Sequence, residues 1–129
     1  MYRTARQVGQ HGEAHARTFL EERGYRILAT NYRCPHGEID IVAADGNAVV
    51  FVEVRTRRSR AYGPPEESLT AAKRHRLVAT AEHYLQRHAL TPTWRIDVVA
   101  MEVDARGAVR RMVQVTDAVT GDDLGNPVA

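Results

Sequence analysis

The stretch from Gly37 to Arg57 limits what this chain can become more than any other. Gly37 to Ala44 and Ala48 to Arg57 are rich in Ile and Val, and Asp45-Gly46-Asn47 between them is a turn signal, so the segment predicts a β-hairpin. Each arm carries an acid where an apolar residue is expected. Alternation puts Asp40 with Glu38 and Val42, opposite Ile39 and Ile41, and puts Glu53 with Phe51 and Arg55. A two-residue turn on Gly46-Asn47 pairs Asp45 with Ala48 and sets Asp40 directly across from Glu53, with Cβ atoms roughly 5 Å apart. A turn on Asp45-Gly46 keeps the two acids diagonal on one face. A three-residue loop would put them on opposite faces.

Two facing carboxylates repel and destabilise a sheet unless something compensates them. A hard divalent cation with oxygen ligands, Mg²⁺ or Mn²⁺, does so economically. The plainer alternative is a pair of rim residues on a solvated face, each held by an arginine. The run Val49-Val50-Phe51-Val52-Glu53-Val54 weighs against that alternative, because an unligated charge inside an apolar run is costly.

The remaining elements give the hairpin its setting. Ala5, Val8, Gly12, Ala16, Phe19 and Leu20 recur at helical spacing and predict a helix from Thr4 to Arg23, with Gly24 as its C-terminal cap. Tyr25 to Tyr32 reads as a strand with Tyr25, Ile27 and Ala29 on one face, broken by Pro35-His36-Gly37. A loop from Arg57 to Pro65 precedes a second helix, capped by Thr70 and ending near Ala89, whose stripe is Leu77, Val78, Ala81, Tyr84 and Leu85. Strands follow at Trp94 to Val103 and Ala108 to Val115. The order is helix, three strands, helix, two strands: an α/β domain with a mixed sheet flanked by helices, its helical crossover giving a parallel, right-handed connection.

Domain limits and partners follow from length and charge. The 129 residues predict one domain over 1–116, and 117–129 reads as a disordered acidic tail with three acids and no base. Residues 1–116 carry 18 basic and 13 acidic side chains, a net of +5, which mildly favours a polyanionic partner. Seventeen of the basic residues are Arg, a ratio that base composition explains most simply, and Lys73 is the only lysine. Cys34 is the only cysteine, which excludes an internal disulfide and a cysteine-based zinc site. No apolar span and no signal peptide are visible, so the expected location is cytoplasmic and no membrane partner is expected.

Gly37-Glu38-Ile39-Asp40 followed by Phe51-Val52-Glu53-Val54-Arg55-Thr56-Arg57 resembles the hallmark of the YraN-like uncharacterised protein family of bacteria. Gly12-Glu13, Gly24-Tyr25, Asn31-Tyr32-Arg33, Lys73 and Arg95-Ile96-Asp97 fit the same pattern, so the resemblance covers about residues 9–103. That family is similar in fold to the PD-(D/E)XK nucleases, among them restriction enzymes and archaeal Holliday-junction resolvases, whose core order is the one just described. The resemblance implies a restriction-endonuclease-like core in which Asp40 and Glu53 are metal ligands and Glu13 is an auxiliary ligand. It departs at Arg55, which stands where the nuclease motif has lysine. Arginine supplies fixed positive charge to a phosphate but cannot act as a base. Lys73 continues the buried stripe of the second helix towards its start, and some proteins of this fold carry the catalytic lysine there. A snorkelling lysine at a helix start is the alternative.

Arg55, Arg57, Arg58 and Arg60 form a basic cluster after the acidic strand. Alone it is a solvated loop; beside a metal site it suits phosphate contact, with His36 in the preceding turn as a further substrate contact. No regular aromatic interleaving predicts a base-stacking platform. His11-Gly12-Glu13-Ala14-His15 has its acid one place off the zinc-protease spacing. His75, His83 and His88 read as exposed helix residues, Asp97 as a structural partner of an arginine, and Trp94 as a packing residue.

Together these features predict a metal-dependent endonuclease acting on DNA, rather than RNA, in branched or single-stranded form. Its catalytic residues are Asp40, Glu53, Arg55 and Lys73, and its metal ligands are Asp40, Glu53 and Glu13, holding Mg²⁺ or Mn²⁺. Arg57, Arg58, Arg60 and His36 are its nucleic-acid contacts. A homodimer and association with recombination or DNA-uptake proteins are further expectations. The rival, favoured by Arg55, is a nucleic-acid-binding module on a nuclease fold that no longer cuts.

Overall fold

A computed structural model describes residues 5–58 and 69–119, with side chains from residue 12 onward. The expected order is present: α1 (Ala5–Glu22), β1 (Arg26–Cys34), β2 (Gly37–Asp45), β3 (Ala48–Arg57), α2 (Ala71–Arg87), β4 (Thr93–Val103) and β5 (Val109–Val115). The strands form one sheet in the order β1-β2-β3-β4-β5. Only β3 and β4 run parallel, and α2 lies between them in the chain. Most of the loop expected from Arg57 to Pro65, Arg60 included, lies outside the described residues.

Two apolar layers sandwich the sheet. On one face Leu77, Val78, Ala81, Tyr84 and Leu85 of α2 pack on Val42, Phe51, Ile96 and Val98. On the other, Ala16 and Leu20 of α1 pack on Ile41, Ala43, Val50, Val52 and Val99. Phe51 is almost fully buried, its ring edge-on to both Tyr84 and Trp94, which gives Trp94 the packing role expected of it. Burying a side chain of this size contributes about 1.5–3 kcal/mol.

Close approach of α1 depends on Gly12. A Cβ there would stand 2.6 Å from Met101 Cε and 2.7 Å from Thr56 Oγ1, so no larger residue fits without movement of the sheet's side chains. The helix ends as expected at Gly24, whose φ of +88° accompanies bonds from Gly24 N to Glu21 O and from Tyr25 N to Leu20 O. α2 begins with Thr70, whose hydroxyl accepts from Lys73 N.

The alternation expected of β1 fails once. Pairing shifts between Ile27 and Ala29, leaving Leu28 unpaired and exposed. Ile27 therefore packs on the α1 side and Ala29 on the α2 side, not on one face. The extra residue of a β-bulge reverses the parity of everything beyond it.

The ordered chain continues past β5. Ala118 N donates to Ile96 O at 2.8 Å, and Val119 is buried in the α2-side core. The domain thus extends three residues beyond the boundary expected at 116, and 120–129 lie outside the described residues. No helix among the described residues is long and apolar enough to cross a membrane.

Candidate functional site

The hairpin register is the one that a Gly46-Asn47 turn dictates: Asp45 pairs with Ala48, and the ladder runs on to Ile41 opposite Val52. Asp40 and Glu53 are the next positions on each strand. There the backbone ladder gives way to a side chain, because Asp40 Oδ2 accepts from Val54 N at 2.7 Å. The regular alternation expected through this point does not survive. Ile39 packs with Val42 in the α2-side core, whereas Ile41 packs on the α1 side. Asn31, opposite Asp40 in the β1–β2 register, has a left-handed φ of 53°. The sheet is irregular on both strands at the level of Asp40, and the irregularity turns its carboxylate towards β3.

Glu53 keeps its expected parity, on the face of β3 covered by α2. Its side chain is 8% exposed, and Oε2 lies 3.1 Å from Lys73 Nζ, the ammonium at the first turn of α2. That contact is an ion pair without hydrogen-bond alignment, and Oε2 has no hydrogen-bond partner. Burial pushes the Asp40 carboxyl up to about 7, and the charge of Glu53 adds to the effect. The Val54 amide pulls the other way without prevailing, while a hydrogen bond with Glu53 and the charge of Glu38 raise it further. The pair therefore carries fewer than two full negative charges near neutrality.

A buried carboxylate oxygen without a hydrogen-bond partner, beside a second, half-buried carboxylate, fits a hard divalent cation. Asp40 and Glu53 are the two side chains that would hold it. Glu13 is not gathered onto them: its Oε1 accepts from Asn31 Nδ2 at 2.9 Å, across the ladder from Asp40. Among the described residues no three His, Cys, Asp or Glu side chains form a metal-binding group.

Arg55 is half-buried, two residues along β3 from Glu53, and Arg57 follows at the strand end opposite Glu102. Arg58 is exposed. Glu102 is itself buried and accepts from Arg111 Nη1 at 2.9 Å. The carboxyl end of β3 is thus a rim of alternating cations and acids. Asp97 is structural, as expected. It is fully buried and accepts from Arg95 Nε, Gln114 Nε2 and the Asp117 amide.

Sequence reasoning missed a ring cluster farther along α2. His83 is half-buried, not exposed, and its Nδ1 is hydrogen-bonded with the Tyr32 hydroxyl. His36 is exposed on the β1–β2 turn, its ring 6.1 Å from that of His83. The signal was present in the spacing of Lys73, Arg76, Thr80, His83 and Arg87, which places one polar edge along α2.

Comparison with known proteins bears on the whole of this region. Residues 12–101 match uncharacterised protein family UPF0102. The chain belongs to that family. A UPF0102 protein of Moorella thermoacetica is 51% identical over 110 residues, covering 84% of this chain and 92% of its own length. UPF0102 proteins of Symbiobacterium thermophilum and Roseiflexus castenholzii are 49% and 53% identical, covering 85% and 78% of this chain and 95% and 82% of their own lengths. The YraN-like resemblance drawn from the two acidic motifs is borne out, and the matched segment includes Glu13, Asp40, Glu53, Arg55 and Lys73.

Proposed function

We propose that this UPF0102 member is a metal-dependent endonuclease acting on DNA in branched or single-stranded form. One observation carries the reading: Asp40 and Glu53 meet where the β2–β3 ladder ends, and the buried Oε2 of Glu53 has an ion pair with Lys73 at 3.1 Å but no hydrogen-bond partner. One ammonium beside two neighbouring carboxylates does not give each oxygen an aligned donor, and a hard cation with oxygen ligands would. Asp40 and Glu53 would hold Mg²⁺ or Mn²⁺. When bound, such an ion supplies Lewis acidity to a phosphodiester and makes water more acidic.

The protein's own groups do the rest. Val54 N fixes Asp40 Oδ2 and with it the carboxylate plane. Lys73 offsets the charge of Glu53 and stands where a phosphate drawn to the pair would meet an ammonium. Arg55 and Arg57, on the same strand, add fixed positive charge for phosphate positioning. Glu13 would join the set only by releasing Asn31. Cytoplasmic DNA, a homodimer, and recombination or DNA-uptake proteins are the setting that this reading implies.

The test is cleavage of duplex, single-stranded, flap and four-way-junction DNA with Mn²⁺, Mg²⁺ or EDTA, with Asp40→Ala beside the wild type. Metal-dependent cutting lost in Asp40→Ala supports the proposal. Absence of cutting on every DNA, with salt-sensitive binding intact, supports the second reading, a binding module that no longer cuts. Arg55 at the nuclease lysine position favours that second reading, and Arg55→Lys is its first reversion.

A further inference from the structure

The polar edge of α2 leads away from the carboxylate pair into two recesses. The first, about 580 Å³, lies between α2 and the β1–β2 turn, and Arg33, His36, Gly37, Glu38 and Arg76 line it. The second, about 450 Å³, lies farther along α2 between His83, Gln86 and Arg87. The rings of His36 and His83 meet edge-on at 6.1 Å and 66°, and Tyr32 anchors His83 from β1. Lys73, Arg76, Thr80, His83 and Arg87 follow one another at spacings of three and four, one helical edge of about 21 Å from first to last.

The floor of the first recess is closely packed. Gly37 packs so closely on α2 that a Cβ there would stand 3.2 Å from Thr80 Oγ1 and 3.6 Å from Arg76 Cβ. Thr80 Oγ1 in turn donates to Arg76 O at 2.7 Å. Glu38 places one negative charge on its wall, tied to Arg33 at 3.5 Å. The guanidinium of Arg76 is exposed and has no ion-pair partner among the described residues. An exposed arginine at this recess, beside the edge-on pair of histidine rings, suits a phosphate with an unpaired base next to it.

We infer that this edge of α2 is a binding track for a single strand of DNA, with Arg76 and Arg87 contacting phosphates and the His36–His83 rings stacking on an unpaired base. The track deepens the reading of the Asp40–Glu53 pair and rests on that reading for its direction, not for the binding itself. Lys73, one turn before Arg76, joins the track to Glu53. Glu38, two residues before Asp40, joins it from the β2 side. A duplex offers no unstacked base to the rings, so the occupant is single-stranded or a frayed branch point.

The experiment is fluorescence anisotropy of a labelled thymidine oligonucleotide of roughly 20 nucleotides in EDTA across a salt series. It compares wild type, Arg76→Ala, His36→Ala and, as a charge-matched control on the exposed face of α1, Arg17→Ala. Arg76→Ala is expected to weaken binding about tenfold and to reduce the slope of log K against log salt by about 0.7, the share of one single-strand phosphate. His36→Ala should weaken binding with the slope unchanged, and Arg17→Ala should do neither. Equal losses in Arg76→Ala and Arg17→Ala, unchanged binding in Arg76→Ala, or no binding by the wild type would each overturn the track. Because EDTA removes the metal, loss of binding in Arg76→Ala from a protein that never cuts would keep the track and sink the nuclease reading. Metal-dependent cutting of single strands with an unchanged KM in Arg76→Ala would do the reverse.

Discussion

Lys73 Nζ stands 3.1 Å from Glu53 Oε2, bringing the only lysine of the chain onto the most buried glutamate among the described residues. The two come from different elements, α2 and β3, so their meeting is a property of the crossover and not of local sequence. Lys73 is about one-third exposed, which moderates what the pair contributes to stability. Lys73→Met should cost about 1–3 kcal/mol without metal, because Glu53 stays buried with less compensation. Mn²⁺ should then raise the melting temperature of Lys73→Met by more than that of the wild type, while cleavage falls at least about a hundredfold, the usual scale for loss of a positioned charge. Thermal melts with and without Mn²⁺ decide it. Equal metal-induced shifts in the two proteins would show that Lys73 and the metal do not compensate the same charge.

Asp40 sets the pH dependence. Its folded pKa of about 7 lies above the ordinary value of 3.8, so the folded protein holds the proton more tightly than the unfolded chain does. The associated stability is fully present below about pH 4 and is lost as pH rises through about 7. Metal-free wild type should therefore lose up to about 4 kcal/mol relative to Asp40→Asn between pH 4 and pH 8. Urea unfolding of both proteins across that range isolates the Asp40 contribution. Mn²⁺ must displace the same proton, so its apparent affinity should climb up to about tenfold per pH unit below pH 7 and level off above. A flat affinity profile would place the metal elsewhere.

The elements and the hairpin register were readable because apolar periodicity and the Asp45-Gly46-Asn47 turn fix them locally. The pairing of Asp45 with Ala48 then carries Asp40 and Glu53 to the same level of the sheet. Parity was not readable where the chain departs from alternation. The bulge at Leu28 and the left-handed Asn31 carry no strong residue signature, so Ala29 and Ile39 fell on faces opposite to those that counting by two predicts. Glu13 was placed on the correct helix, but its hydrogen bond to Asn31 depends on how α1 seats on the sheet. The spacing along α2 marked His83 on a polar edge, but its meeting with His36 and Tyr32 was not readable, because those lie on a turn and a strand that only the tertiary fold brings to it.

Gly12 tests how closely α1 must approach the sheet. An exposed helix position would gain about 1 kcal/mol from Gly to Ala. Here the added methyl meets Thr56 Oγ1 at 2.7 Å, a β-branched side chain with little freedom to turn, as well as the more pliable Met101 Cε at 2.6 Å. Overpacking of that kind costs about 1–3 kcal/mol, so Gly12→Ala should be neutral to destabilising by about 2 kcal/mol despite the better helix former. Gly12→Ala in a Thr56→Ser background should recover part of the loss, since serine keeps the hydroxyl but can turn it away. Chemical denaturation of the three variants reads the coupling, and a simple sum of the single effects would show that Thr56 yields without strain.

Asp97 separates acids that hold the fold from acids that form the site. It is fully buried, and its carboxylate accepts from Arg95 Nε at 3.0 Å, Gln114 Nε2 at 2.9 Å and Asp117 N at 2.9 Å. These bonds tie β4 to β5 and to the segment beyond it. Arg95 is also bonded to the Tyr25 hydroxyl and retains an ion pair with Asp45, so it is not stranded when Asp97 is lost. Asp97→Ala should therefore cost about 3 kcal/mol, the low end for breaking one side of a buried pair. Asp97→Asn should cost less, since its amide oxygen can still accept from Asp117 N. At a temperature where both variants stay folded, calorimetry should give wild-type Mn²⁺ affinity for each, in contrast to Glu53→Gln. A parallel loss of Mn²⁺ affinity in Asp97→Asn would move the metal towards the α1 side of the sheet and away from the Asp40–Glu53 pair.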